Sequence, residues 1–202
     1  MTKEKSPKLK LSSKFAEAFE YANGWHLDKS RKSTEIAYIC HPLGVASLAI
    51  EGGGDENAAI AALLHDVAED HGGEDRLTEI LEKFGPDVER IVRACSDSLT
   101  EDPDVKDDWK ARKEAHLAHL REINNVDTLI VTAADKTHNA RAIVTDLQIE
   151  GAEVWKRFTV DDPTEIIWYY ESMYEILEAK NVTPKLLHPL RTAIDQMIQG
   201  SR

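Results

Sequence analysis

The chain has 202 residues, long enough to bury a sizeable core and short enough for one domain or at most two. Asp and Glu number 37 against 25 Lys and Arg, a formal charge of −12, which excludes a role based on wrapping a nucleic-acid backbone. An anionic substrate would need a local basic pocket.

Met1 to Leu11 is Lys-rich without an apolar stretch of signal-peptide length, and no segment approaches the ~20 apolar residues of a membrane span. Helical periodicity dominates and no sustained period-two alternation is found, so the expected fold class is all-α, a helical bundle or orthogonal helix array. Ser12 or Ser13 can cap a helix carrying Phe15, Ala18, Phe19 and Ala22 that ends near Asn23-Gly24. After a polar loop, His26 to Ala37, Pro42 suits the first turn of a second helix that Gly52-Gly53-Gly54 must stop. A third helix is expected from about Glu56 to Asp70, closed by Gly72-Gly73.

Leu77, Ile80, Leu81 and Phe84 mark a helix stopped by Gly85-Pro86, and Val88, Ile91, Val92 and Cys95 restart the pattern at once, so these two helices should be neighbours. Asp97 to Asp108 reads as an acidic turn. Trp109 to Ile123 traces a long, strongly charged helix, and Asp127 to Leu147 a mostly apolar, central one. Asp162-Pro163-Thr164-Glu165 has a capping residue, a first-turn proline and a Glu three positions on, introducing an aromatic helix suited to core packing or a subunit contact, which leaves a homo-oligomer open. A last helix follows Thr183-Pro184. Cys40 and Cys95, far apart in apolar surroundings, read as buried free thiols in a reducing, cytoplasmic setting.

Chemistry concentrates where ionisable groups interrupt apolar runs. In Ala61 to Asp70, taking His65 as zero at ~100° per residue, Glu69 falls near 40°, Asp66 near 100° and Asp70 near 140°, one polar stripe on a two-faced helix. Asp135 sits in an apolar run where an unpaired carboxylate would carry a heavy desolvation cost, so it needs a cation, with Lys136 and Arg141 as the plain structural partners. His41 precedes Pro42 at the mouth of a helix. Together His41, His65, Asp66 and Asp135 offer two imidazoles and two carboxylates, a mixed set that suits Mn²⁺, Fe²⁺ or Zn²⁺ better than Ca²⁺ or Mg²⁺.

With these residues in view, the chain resembles the HD-domain metal-dependent phosphohydrolases. Within them it is similar to the hydrolase domain of RelA/SpoT enzymes and to the small single-domain alarmone hydrolases of the metazoan SpoT-homologue type. The likeness runs from about Phe15 to Leu147. It rests on Arg31-Lys32-Ser33, Tyr38-Ile39-Cys40-His41-Pro42, Leu63-Leu64-His65-Asp66 with Glu69-Asp70, Phe84-Gly85, and Ala134-Asp135-Lys136 with His138-Asn139 and Arg141.

The resemblance implies one Mn²⁺ on His41, His65, Asp66 and Asp135, with Glu69 and Asp70 acting on the nucleophilic water. It implies that Asn139 contacts the nucleotide, that Arg31, Lys32 and Ser33 line its base and ribose side, and that Lys136 is among the phosphate cations. The chain would be one hydrolase domain over 1–202, with a motif-bearing core about 12–147 and C-terminal helices about 161–199.

The expected partner is a small nucleotide, with neither nucleic acid nor membrane. The expected reaction is 3′-pyrophosphohydrolysis of (p)ppGpp or (p)ppApp. Alternatives are another HD nucleotide phosphatase or phosphodiesterase, acting on a nucleoside monophosphate or on the NADPH 2′-phosphate, and a non-catalytic nucleotide-binding helical domain. Departures from the family pattern fall on the pocket wall, at Ala37, Thr132, Thr137, Ala140 and Ala94 to Ser98, and leave the preferred base open.

Overall fold

A computed structural model describes residues 9–96, 99, 108–160 and 162–201. Apart from Leu99 and Asp108, the acidic stretch read as a turn lies outside the described residues. The order of elements is α1 (Ser13–Trp25), α2 (Cys40–Gly52), α3 (Glu56–Leu64), α4 (Val67–Asp70), α5 (Gly73–Phe84), α6 (Pro86–Cys95), α7 (Trp109–Glu122), α8 (Val126–Glu150), a 3-10 helix (Gly151–Arg157), α9 (Pro163–Ala179) and α10 (Pro184–Gly200). Among the described residues the extended pairing is a single isolated bridge, Ser30 to Ala37, so the chain is all-α. No helix among them is long and apolar enough to cross a membrane.

The caps explain where the helices begin. Side chains of Ser12, Asp55, Asn125, Asp162 and Thr183 accept from backbone N–H groups of the first turns of α1, α3, α8, α9 and α10, which satisfies donors that have no partner inside the helix. Pro86, Pro163 and Pro184 occupy first-turn positions, where a missing N–H costs nothing. Gly53, at φ +96°, ends α2 in the left-handed region that favours glycine.

One continuous apolar core runs through these helices, and α3 is its centre, packed against α1, α2, α6 and α8. Two expectations about α3 are corrected here. Residues 58–64 are all buried, so the helix is apolar on every side rather than two-faced. It also stops at Leu64, and the chain passes through a turn at His65 and Asp66 before α4. Neighbouring side chains on an unbroken helix diverge by ~100°, and the turn, with Asp66 at φ −92° and ψ −9°, lets both point the same way.

The 3-10 helix was not foreseen, and neither was the exposure of Cys40, which opens α2 at the rim of a cavity instead of lying in the core. Cys95 is half-buried, and both thiols are free.

Candidate metal centre and active site

Three segments bring the donors together: the start of α2 carries His41, the turn after α3 carries His65 and Asp66, and the middle of α8 carries Asp135. His65 Nε2 lies 3.2 Å from His41 Nε2 and 3.2 Å from Asp66 Oδ2. Asp135 Oδ1 lies 3.3 Å from His41 Nε2 and 3.7 Å from His65 Nε2, and Asp66 Oδ2 is 3.5 Å from His41 Nε2. Donors about 2.0–2.2 Å from a shared ion, at tetrahedral or octahedral angles, stand about 2.8–3.6 Å apart. His41, His65 and Asp66 form a group whose donor atoms all lie within 4.8 Å of one another, as a divalent transition metal requires, and Asp135 lies against the two imidazoles outside that group.

The ring orientations are fixed from behind. His65 Nδ1 bonds the Ala62 carbonyl at 2.8 Å, which turns its Nε2 into the cradle. His41 Nδ1 meets His138 Nδ1 at 2.9 Å. Asn139 Nδ2 donates to Asp135 Oδ1 at 2.6 Å, Lys136 Nζ pairs with Asp135 Oδ2 at 2.8 Å, and the Tyr38 hydroxyl donates to Asp66.

The electrostatics call for positive charge at the same point. Burial alone would raise both aspartates, but His65, with His41, holds Asp66 low, and Lys136 with the two imidazoles holds Asp135 well below the carboxylate range. Burial opposes a charge on His65, yet Asp66 and Asp135 override it and push His65 well up, while burial dominates at His41 and lowers it. Two carboxylates, one buried and one half-buried, thus favour a positive charge on an imidazole in the place a cation would serve better.

Removing the metal from loaded protein should lower the melting temperature. Occupancy at about 100 times Kd contributes about 2.7 kcal/mol, on the order of 5–10 °C for a chain this size. Differential scanning fluorimetry before and after chelation measures it, and an unchanged transition after verified metal removal would refute an ordered site.

The other residues singled out above are spread around the cradle. Arg31 Nη2 donates to Asn139 Oδ1 at 2.9 Å, so Arg31, Asn139 and Asp135 form one connected row. Arg31, Lys32, Lys136 and Asn139 line an adjoining cavity of about 750 Å³. Ser33 is exposed at the tip of the loop, at φ +61°, and is not part of that wall. Glu69 is half-buried on α4, and Asp70 is ion-paired with Lys29. Arg141 is exposed on another side, beside His188 and Gln196.

His138 is held neutral by burial and by His41, with its pKa lowered to about 4. Its role is to back His41. Gly44 makes room for it: a Cβ there would sit 2.3 Å from His138 Cδ2 and Nε2. Gly44→Ala should therefore displace His138 and weaken metal affinity about 10- to 100-fold, as loss of ligand support does elsewhere. Mn²⁺ titration calorimetry reads this, and wild-type affinity would contradict it.

Reading by segments missed the far side of the cavity. Trp109 and Lys113 of α7, Arg157 of the 3-10 helix, Phe158, and Tyr169 and Tyr170 of α9 form it. Lys113 had the spacing of a solvated face, and no local signal marks Arg157. Tyr38, which joins the cavity wall to the cradle through Asp66, had been noted only as part of its motif.

Two imidazoles and two carboxylates on a helical array, set beside a cationic cavity, have the donor chemistry of an HD-type metal site. Residues 18–160 match the family model described as the HD domain. The chain is 33% identical over 171 residues to the guanosine-3′,5′-bis(diphosphate) 3′-pyrophosphohydrolase MESH1 of Xenopus tropicalis, covering 81% of this chain and 88% of that protein.

A probable GTP pyrophosphokinase of Mycobacterium leprae is 34% identical over 142 residues, of which this chain spans 70% of its own length and 17% of that longer protein. A solved structure described as a metazoan ortholog of SpoT that hydrolyses ppGpp aligns with a TM-score of 0.73 at 26% identity, over 98% of this chain and 100% of that one. The chain belongs to the HD-domain family, on its RelA/SpoT-type hydrolase branch.

Proposed function

We propose that the protein is a divalent-metal-dependent 3′-pyrophosphohydrolase of guanosine or adenosine alarmones, with Mn²⁺ as the working ion. The observation that carries this reading is a local inversion of charge. In a chain of net −12, the cavity beside the donor set is lined by Lys29, Arg31, Lys32, Lys113, Lys136 and Arg157, against one carboxylate, Asp146, among the described residues. Such a wall suits a substrate carrying several phosphates. Tyr38, Trp109, Phe158, Tyr169 and Tyr170 add apolar and aromatic surface that a base and ribose can pack against. The similarity to named ppGpp 3′-pyrophosphohydrolases supports the same substrate class.

A divalent ion bound to His41, His65, Asp66 and Asp135 would lower the pKa of a water and polarise a phosphoryl oxygen. The chain's own groups do the rest. Arg31, Lys32, Lys113 and Lys136 hold the phosphates and set the reacting phosphorus near the water. Glu69, with Asp70, orients the water and takes its proton as its oxygen bonds to the phosphorus joined to the nucleotide 3′ oxygen. The bond from phosphorus to that 3′ oxygen breaks, the oxygen takes up the proton removed from the water and leaves as a hydroxyl, and pyrophosphate departs with the 5′-phosphorylated nucleoside as co-product. The C-terminal helices take part, since α9 supplies cavity wall, and the reading treats the chain as one hydrolase domain working in the cytoplasm.

Mn²⁺-loaded protein screened against ppGpp, pppGpp, ppApp, pppApp, NADPH and nucleoside monophosphates, with product identification, tests the proposal. Pyrophosphate from a 3′-pyrophosphorylated nucleotide is the expected product. Orthophosphate from NADPH or a monophosphate, without pyrophosphate from any alarmone, would replace this reaction with a phosphomonoesterase.

A further inference from the structure

A second convergence of metal-type donors lies outside the cradle. His26 Nδ1 and His71 Nε2 stand 3.2 Å apart, the separation that His41 Nε2 and His65 Nε2 have in the first site. Asp70 completes the group, so that one donor atom from each of the three residues lies within 4.8 Å of the other two. We propose that His26, Asp70 and His71 form a second site for a divalent transition cation, with Zn²⁺ the best-matched ion. Two imidazoles and one carboxylate, with remaining positions for water, are a set that zinc accepts.

The local structure prepares each donor. His26 is the C-cap of α1, its backbone N–H bonded to the Ala22 carbonyl, so its ring leaves at the end of a 13-residue helix where partial negative charge favours a cation. It is 2% exposed, and burial first, then Lys29, lowers its pKa to about 4, which keeps the imidazole neutral and able to bind. His71 follows α4, with its carbonyl held by Arg76 Nε at 3.0 Å and its ring against Trp25 and His26. Gly72 and Gly73, at φ +102° and +50°, turn the chain away immediately afterwards.

Asp70 already accepts from Lys29 on Oδ2, and a bound ion would share the carboxylate with that lysine. The sites share no donor, because Tyr38 stands between them, its ring centroid 4.8 Å from that of His26 and 5.8 Å from that of His41. Lys29 also lines the substrate cavity, so an ion on Asp70 would change how tightly that lysine is held.

Native mass spectrometry of the full chain titrated with Zn²⁺ tests the proposal, with circular dichroism to verify the fold of each variant. Wild type should bind two ions, His71→Ala one, Asp135→Ala one, and the double variant none. His71→Gln serves as a second variant, and Co²⁺ substitution should show the loss of one set of visible bands in either His71 variant. A single ion in wild type, or a second ion retained in folded His71→Ala and His71→Gln, would overturn the second site. Two ions retained in Asp135→Ala, with loss of one on replacing His71, would count against the first site while upholding this one.

Discussion

Asp135→Ala should lose bound metal and turnover together, with kcat/KM falling on the order of 10³-fold or more, about 4 kcal/mol at the reacting step. Asp135 is where the connected groups meet: its Oδ1 faces both imidazoles and accepts from Asn139, and its Oδ2 pairs with Lys136. Truncation removes one donor and leaves Lys136 without its compensating carboxylate, so a like charge faces a metal ion that has lost its anchor. The measurement is metal content by mass spectrometry alongside single-turnover rates on ppGpp. A variant that keeps a full complement of metal, or hydrolyses at more than a tenth of the wild-type rate, would remove Asp135 from the ligand set.

Glu69→Gln should separate the two losses. Glu69 sits one turn beyond Asp66 on α4 and is not a member of the donor group formed by His41, His65 and Asp66. The substitution keeps shape and hydrogen bonding but removes the proton acceptor, so kcat is expected to fall about 10²- to 10⁴-fold, the usual range for one general base. Metal stoichiometry and KM should stay within a few-fold of wild type. Equal loss of metal would reassign Glu69 as a ligand, and undiminished kcat would leave water activation to Asp70 or to the ion alone.

Much of the architecture was legible because capping chemistry is local. Ser12, Asp162-Pro163, Thr183-Pro184 and Gly85-Pro86 announced their helix ends through groups whose partners lie within a few residues. The four donors drawn into the cradle were also readable, since a carboxylate inside an apolar run, as at Asp135, has few physical explanations.

What escaped notice depends on the third dimension. The turn at His65-Asp66 could not be seen by periodicity, which assumes an unbroken helix. The all-round burial of α3 was hidden because its alanines carry no strong preference for either side. Lys113 and Arg157 looked like any exposed basic residues, since facing a cavity and facing open solvent require the same spacing. The support His138 gives His41 was not legible, because its burial and that contact join helices distant in sequence.

The segment beyond Leu147 carries none of the recognition motifs, yet α10 packs along α8, the helix that positions Asp135. Thr137 Oγ1 donates to the Leu186 carbonyl at 3.3 Å, and a Cβ on Gly200 would press on Leu147 across the same seam. Trimming the chain to its signature-bearing stretch would strip the buttress from that seam and let α8 drift. Anyone excising a minimal catalytic fragment should therefore keep the final two helices, α9 for the cavity wall it supplies and α10 for its mechanical support of α8.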